Sequence, residues 1–104
     1  MDSNGYNKSL LDTEAGECYL CPYVGDTARH EVFYGTSTRA LSKRLGLWVN
    51  LCPRCHAEVH ADKKGGKKSA TLIADAKAAF IKAGYTEQQF TDIFITGKAK
   101  WWEI

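Results

Sequence analysis

Residues 18–21, CYLC, and residues 52–60, CPRCHAEVH, decide how this chain folds. Each stretch holds a Cys-x-x-Cys pair, and the 30 residues from 22 to 51 lie between the two pairs. Two such pairs supply four thiolates, which is the ligand set of a closed tetrahedral zinc site. We therefore predict one structural zinc ion that holds two segments of the chain together, with four ligands: Cys18, Cys21, Cys52 and Cys55.

Length and composition predict one small folded domain. The chain has 104 residues, of which 44% are hydrophobic and 12% aromatic, and these fractions exclude a disordered chain. A domain of this size buries a modest core and is often stabilised by a metal ion or by disulfides. The net charge of +2 is too small to identify a partner.

The N-terminal segment predicts a cytoplasmic protein. It is polar and carries Asp2, Asp12 and Glu14, whereas a secretory signal would be apolar there. No apolar run approaches the roughly 20 residues that span a bilayer, so we expect no membrane partner. Thiols stay reduced in the cytoplasm, which favours metal ligands over disulfides. A redox switch that uses the cysteines remains an alternative at this point.

Periodicity and turn signals predict an α+β fold. Two short stretches rich in β-branched and aromatic residues, 27–34 and 47–51, have the composition of strands. Helices are predicted where apolar residues recur every three or four positions between capping residues. These helices cover about 37–45, 53–61 from Pro53, 69–83 with Ser69 as the cap, and a last segment to about 97 that the capping box of Thr86 and Gln89 opens.

These patterns divide the one predicted domain into four segments. We expect a flexible N-terminal arm over 1–16, a zinc-braced core over 17–61, a basic loop over 62–69 and a C-terminal helical extension over 70–104. The extension ends in Trp101 and Trp102. We expect these rings to pack onto the domain or into a dimer contact rather than onto bases.

The three histidines of the chain form a second pattern. His56 directly follows Cys55, and His60 lies four residues later, so a helix presents both imidazoles on one face. That spacing suits two ligands of one divalent metal ion. His30 lies on the first predicted strand of the same zinc-braced unit. If that strand packs beside the helix, the three imidazoles converge.

The residues RHE at 29–31, CPRCH at 52–56 and His60, together with the first cysteine pair, resemble the HNH, or ββα-metal, nuclease superfamily. The stretch RHEVFYGTSTRALSKRLGLWVNLCPRCHAEVH, residues 29–60, is similar to the core of small phage nucleases that depend on the recombinase RecA and enhance recombination. This likeness covers roughly residues 17–96. It implies a ββα-metal core with a short β-hairpin, followed by two C-terminal helices, and a bacterial host cell as the compartment.

The resemblance also implies roles for individual residues. His30 takes the place of the general base, while His56 and His60 take the places of ligands to a catalytic cation, Mg²⁺, Mn²⁺ or Zn²⁺. Arg29 stands where the family usually has a further metal ligand, which a guanidinium cannot be. We expect Arg29 to stabilise charge instead. The middle asparagine of the motif falls at Leu47 in this chain, so the nearby Asn50 is the candidate for that catalytic role.

DNA is the partner that this resemblance implies, with a recombinase filament as a possible second one, and we expect a monomer or weak dimer. Phosphate contacts are expected from the basic residues of the helix, the cysteine segment and the lysine-glycine loop. These residues are Arg39, Lys43, Arg44, Arg54, Lys63, Lys64, Lys67 and Lys68. The alternative function is a non-catalytic zinc module that binds DNA or a protein.

Overall fold

The computed structural model describes residues 5–33, 38–62 and 66–97, and it shows the α+β class that the sequence predicts. In these ranges the chain forms a two-stranded antiparallel sheet and four helices, the last of which continues into a π-helical turn. The elements are β1 (Ala28–Glu31), α1 (Arg39–Arg44), β2 (Trp48–Leu51), α2 (Pro53–Asp62), α3 (Lys67–Lys82), α4 (Glu87–Phe90) and the π-helical turn Thr91–Ile95. Among the described residues, none of the helices is both long enough and apolar enough to cross a bilayer.

The sheet has one face toward the core and one face toward the N-terminal segment. His30 pairs with Val49, and Arg29 pairs with Asn50 in the register of the two strands. Because side chains alternate along a strand and directly opposed residues share a face, His30 lies with Val49 and Leu51 on the core side. Val49 and Leu51 are fully buried there. Arg29 and Asn50 belong to the opposite face.

Residues 5–16 cover that opposite face, in place of the loose arm that the sequence predicts. The backbone N–H of Leu10 donates to the carbonyl of Gly46 at 2.8 Å, and the indole N–H of Trp48 donates to the carbonyl of Asn7 at 2.8 Å. Leu11 is buried. Gly46 adopts a φ of +72°, and a Cβ atom there would collide with the carbonyl oxygen of Lys8. The arm is therefore part of the fold, and its path requires glycine at position 46.

Helix α3 begins earlier than the sequence predicts. Its N-cap is Gly66, so Lys67 and Lys68 belong to the helix and not to the basic loop. Ser69 is not a cap. It is buried inside the helix, where its hydroxyl donates to the carbonyl of Val59 in α2 at 3.4 Å. The serine therefore contributes a contact between two helices instead of a helix start.

The C-terminal part of the described chain closes the core with aromatic rings. Phe80 of α3 stacks on Tyr85 with ring centroids 4.2 Å apart, and Phe33 stacks on Phe94 at 4.4 Å. The capping box predicted at Thr86 is confirmed, since the hydroxyl of Thr86 accepts from the backbone N–H of Gln89 and the side chain of Gln89 accepts in return. Both tail tryptophans lie outside the described residues.

A buried serine joins α1 to the segment after β1, and its loss should destabilise the protein. Ser42 is fully buried, and its hydroxyl both accepts from the backbone N–H of Phe33 at 3.0 Å and donates to the Phe33 carbonyl at 3.1 Å. We expect Ser42→Ala to lower the free energy of unfolding by about 1–3 kcal/mol, because two buried backbone groups lose their partner. Urea denaturation of the zinc-loaded protein measures this.

The control is Thr71→Ala, which removes an exposed hydroxyl that donates to the carbonyl of Lys67. That variant should change the free energy of unfolding by no more than about 0.5 kcal/mol. Equal losses in both variants would contradict the role given to Ser42.

Candidate metal centres

The two cysteine pairs meet because each sits in a rigid local structure. A bridge between Glu17 and Val24 closes the first turn, and the backbone N–H of Cys18 donates to the carbonyl of Tyr23 at 3.0 Å. In the second pair, Cys52 follows β2 directly and Cys55 lies in the first turn of α2. The backbone N–H of Cys55 points at the sulfur of Cys52 at 3.4 Å. The turn and the helix start thus bring both pairs to one place.

The four sulfurs have the geometry of one tetrahedral site. All four Sγ atoms lie within 4.8 Å of one another, and the Sγ atoms of Cys21 and Cys52 are 3.8 Å apart. Four sulfurs at 2.3 Å from a tetrahedral zinc ion are about 3.8 Å apart. All four cysteines are free thiols. The cluster can therefore hold a structural metal such as zinc.

The buried thiols of this cluster differ in pKa. Cys18, Cys52 and Cys55 are buried, and burial raises the pKa of the Cys55 thiol to about 12, whereas at Cys18 burial is outweighed by hydrogen bonds from the backbone, which lower the pKa to about 6. The Cys55 thiolate forms at neutral pH only when a positive charge stabilises it. A divalent ion among four sulfurs supplies that charge, which fits the prediction of a zinc site.

The three histidines converge as a second cluster. His30 projects from β1, and His56 and His60 project from α2. The ring centroid of His30 lies 5.2 Å from that of His56 and 5.2 Å from that of His60, while the two helix rings are 4.8 Å apart. One ligand nitrogen from each ring lies within 4.8 Å of the other two. The predicted convergence of the imidazoles is thus what the structure shows.

The rings differ in burial, and burial sets their protonation. His30 is only 2% exposed, His56 is half-buried and His60 is exposed. Burial, together with the neighbouring charges of His56 and His60, lowers the pKa of His30 to about 4. Burial also lowers the pKa of His56, with His60 as the second cause. Both imidazoles are consequently neutral near pH 7 and keep a lone pair for a metal ion or a proton.

The two helix imidazoles are spaced for one metal ion. Their Nε2 atoms are 3.1 Å apart, a distance that also permits a hydrogen bond between the rings. Two nitrogens at 2.0–2.1 Å from one ion are about 2.9–3.4 Å apart at bond angles between 90° and the tetrahedral value. An open cleft of about 440 Å³ exposes these rings to solvent, and it is lined by Asp26, Thr27, Ala28, Pro53, His56, Ala57 and His60. An ion held here keeps positions for water or a substrate.

Arg29 and Asn50, the other two predicted catalytic residues, are not brought to the histidines. The guanidinium of Arg29 lies over the rings of Tyr6 and Trp48, at 4.5 Å and 5.1 Å from their centroids. Asn50 is buried, and both its backbone N–H and its side-chain amide donate to the hydroxyl of Thr13. Strand alternation explains both positions, since neighbours of an inward residue point outward. Asn50 thus links β2 to the N-terminal arm through these hydrogen bonds.

The predicted DNA-contacting residues fall into separate groups. Arg39 and Arg44 are exposed on α1, while the ammonium of Lys43 lies 5.0 Å from the ring centroid of Tyr6. Arg54 lies on α2, where its guanidinium pairs with the carboxylate of Glu58 at 3.5 Å. Because positions 54 and 56 are about 200° apart on a helix, Arg54 faces away from the histidine cleft. Lys67 is exposed on α3, and Lys63 and Lys64 lie outside the described residues.

Sequence reasoning missed the contacts between α3 and the thiolate cluster. Lys68 of α3 donates to the sulfur of Cys55 at 3.3 Å and to the carboxylate of Glu58 at 2.8 Å. The phenol of Tyr19, inside the first cysteine pair, donates to the carboxylate of Asp75 in α3 at 2.6 Å. These partners are ten or more residues apart in the chain, so local patterns carry no signal for them.

Comparison with protein-family models, curated proteins and solved structures finds no match to this chain.

The two centres should respond differently to loss of a ligand. We expect Cys55→Ala to abolish tight zinc binding and cooperative unfolding, because a structural site needs its ligands and its metal-binding energy is folding energy. His56→Ala should keep one tightly bound zinc ion and the fold. Metal analysis after dialysis and circular dichroism measure both properties. Loss of the tightly bound zinc from His56→Ala would show that the clusters have been assigned to the wrong roles.

Proposed function

We propose that this protein is a metal-dependent DNA endonuclease of the HNH type that its sequence resembles. One observation carries the proposal: neutral His30 meets His56 and His60 beside an open cleft, next to a separate cluster of four thiolates. Four thiolates fill the sphere of a tetrahedral ion and suit structure, whereas an open set of imidazoles suits catalysis. In this proposal the cysteine cluster binds an ion that stabilises the fold, and the histidine cluster binds an ion that takes part in catalysis.

The donor set of the cleft favours an anionic substrate. The two proposed ligands of the ion, His56 and His60, are both imidazoles that line this cleft. Neutral ligands leave the full charge of a divalent ion available, and a phosphodiester is an anion that such an ion binds and activates. Imidazole nitrogen suits Zn²⁺ better than Mg²⁺ or Mn²⁺, which prefer oxygen ligands. Of the three cations expected from the sequence, Zn²⁺ is thereby favoured.

His30 is the proposed general base. Its buried ring stays neutral near pH 7 because burial depresses its pKa, and it lies against both helix histidines. A neutral imidazole in this place can take a proton from a water molecule that attacks the phosphate. His56 and His60 would hold the divalent ion, which supplies positive charge for the phosphate and the leaving oxygen when it is bound.

One observation favours the alternative, a non-catalytic zinc module. Among the described residues that line the histidine cleft there is no lysine and no arginine. Many phosphate-transfer sites use such a cation to stabilise the transition state. In this protein the bound ion would have to supply that charge alone. Plasmid cleavage separates the two functions, because the module would bind a partner without cutting.

Cleavage of supercoiled plasmid DNA tests the proposed nuclease. We expect nicking by the zinc-loaded protein with Mn²⁺, Zn²⁺ or Mg²⁺, and a loss of about 100-fold or more in rate for His30→Ala and for His56→Ala. Gln88→Ala, an exposed position on α4, is the control that should cut at the wild-type rate. The assay is run on naked DNA and on DNA coated with a recombinase filament, since the resemblance implies such a partner.

Two results would contradict the proposal. Cleavage that survives both histidine substitutions would remove the assigned residues from the chemistry. DNA binding without cleavage under every metal and DNA form would support the non-catalytic module.

The two exposed arginines of α1, Arg39 and Arg44, should contribute affinity without sequence preference. We expect the double variant Arg39→Ala and Arg44→Ala to weaken DNA binding and to reduce the salt dependence of the binding constant, because fewer counterions are released. Gel shifts or fluorescence anisotropy at several salt concentrations measure this. An unchanged salt dependence would place the DNA elsewhere on the protein.

A further inference from the structure

Lys68 has two partners at the thiolate cluster. Its ammonium group lies 3.3 Å from the sulfur of Cys55 and 2.8 Å from a carboxylate oxygen of Glu58. The side chain of Lys68 is 28% exposed, so the protein covers most of it. We propose that Lys68 is a positioning residue of the zinc centre, which holds the Cys55 thiolate through a charged hydrogen bond and slows the loss of the ion. This inference does not depend on the proposed nuclease activity.

The packing of α3 directs this side chain toward the cluster. The next residue, Ser69, is buried, and its hydroxyl contacts the carbonyl of Val59 in α2. Further along α3, the carboxylate of Asp75 accepts a hydrogen bond from the phenol of Tyr19, which lies inside the first cysteine pair. The start of α3 is thereby fixed against α2, and Lys68 projects from that start to Cys55. Lys67, one position earlier, is exposed and offers a natural comparison.

Charge explains what the contact does. A divalent ion with four thiolates carries a net charge of −2, which is costly in a largely buried place. An ammonium group that donates to one sulfur offsets part of this charge and draws electron density from the thiolate. Offsetting that charge stabilises the ion-bound cluster, so the ion should leave more slowly. The carboxylate of Glu58 holds the ammonium group of Lys68 in place through an ion pair. The same carboxylate also pairs with the guanidinium of Arg54 at 3.5 Å.

The rate of zinc transfer to an excess of a chromogenic chelator tests the proposal on the full zinc-loaded chain. We expect Lys68→Met to release zinc about 10-fold faster than wild type, since loss of an outer-shell partner typically changes metal affinity by 10- to 100-fold. Lys67→Met removes the same charge at the neighbouring position and should release zinc at the wild-type rate. Equal rates for both variants would overturn the assignment.

A spectroscopic measurement separates the hydrogen bond from general destabilisation of the fold. With Co²⁺ in the thiolate site, loss of a hydrogen bond to sulfur should shift the sulfur-to-cobalt charge-transfer band to lower energy in Lys68→Met. Lys68→Arg, which keeps the charge and the donor, should retain a band close to wild type. An identical band in wild type and Lys68→Met would overturn the proposal even if zinc release were faster.

Discussion

The structure depends on four sulfur atoms that meet at one place, where they can hold a metal ion such as zinc. They come from two segments that 30 residues separate, and one of these segments is the start of α2. Binding of zinc to a structural site releases about 10–16 kcal/mol, which is comparable to the total stability of a small domain. For a chain of this size, a zinc ion bound at the four sulfurs would therefore be a main source of folding energy.

That constraint also positions the candidate catalytic residues. Cys55 and His56 are adjacent on α2, about 100° apart around the helix axis, so the helix presents thiolate and imidazole to different sides. Once the thiolates fix α2 against the end of β2, the hairpin carries His30 of β1 to the same place. His30 lies on the inward face of β1 and Arg29 on the outward face, as the alternation of side chains along a strand requires. An ion bound at the sulfurs would thus help to determine which side chains meet at the histidine cluster.

Local patterns in the sequence predict much of this arrangement. The spacing of the cysteines, the helical spacing of His56 and His60 and the capping box at Thr86 all rest on contacts within a few residues. The remaining features depend on contacts between distant residues. Thr13 with Asn50, Val59 with Ser69, and Cys55 with Lys68 lie 37, 10 and 13 residues apart. Local sequence patterns do not show which distant residues meet. For this reason they do not predict that Asn50 contacts the N-terminal arm, where a catalytic role is expected, or that Ser69 contacts α2, where a helix cap is expected.

X-ray absorption at the zinc edge, on protein that carries one equivalent of zinc, tests the central claim most directly. The account predicts four sulfur neighbours at about 2.3 Å and no nitrogen in the first shell. A shell that contains imidazole nitrogen or fewer than four sulfurs would show that the cysteines do not form one closed site. The physical basis for the position of α2, and for the convergence of the histidines, would then be lost.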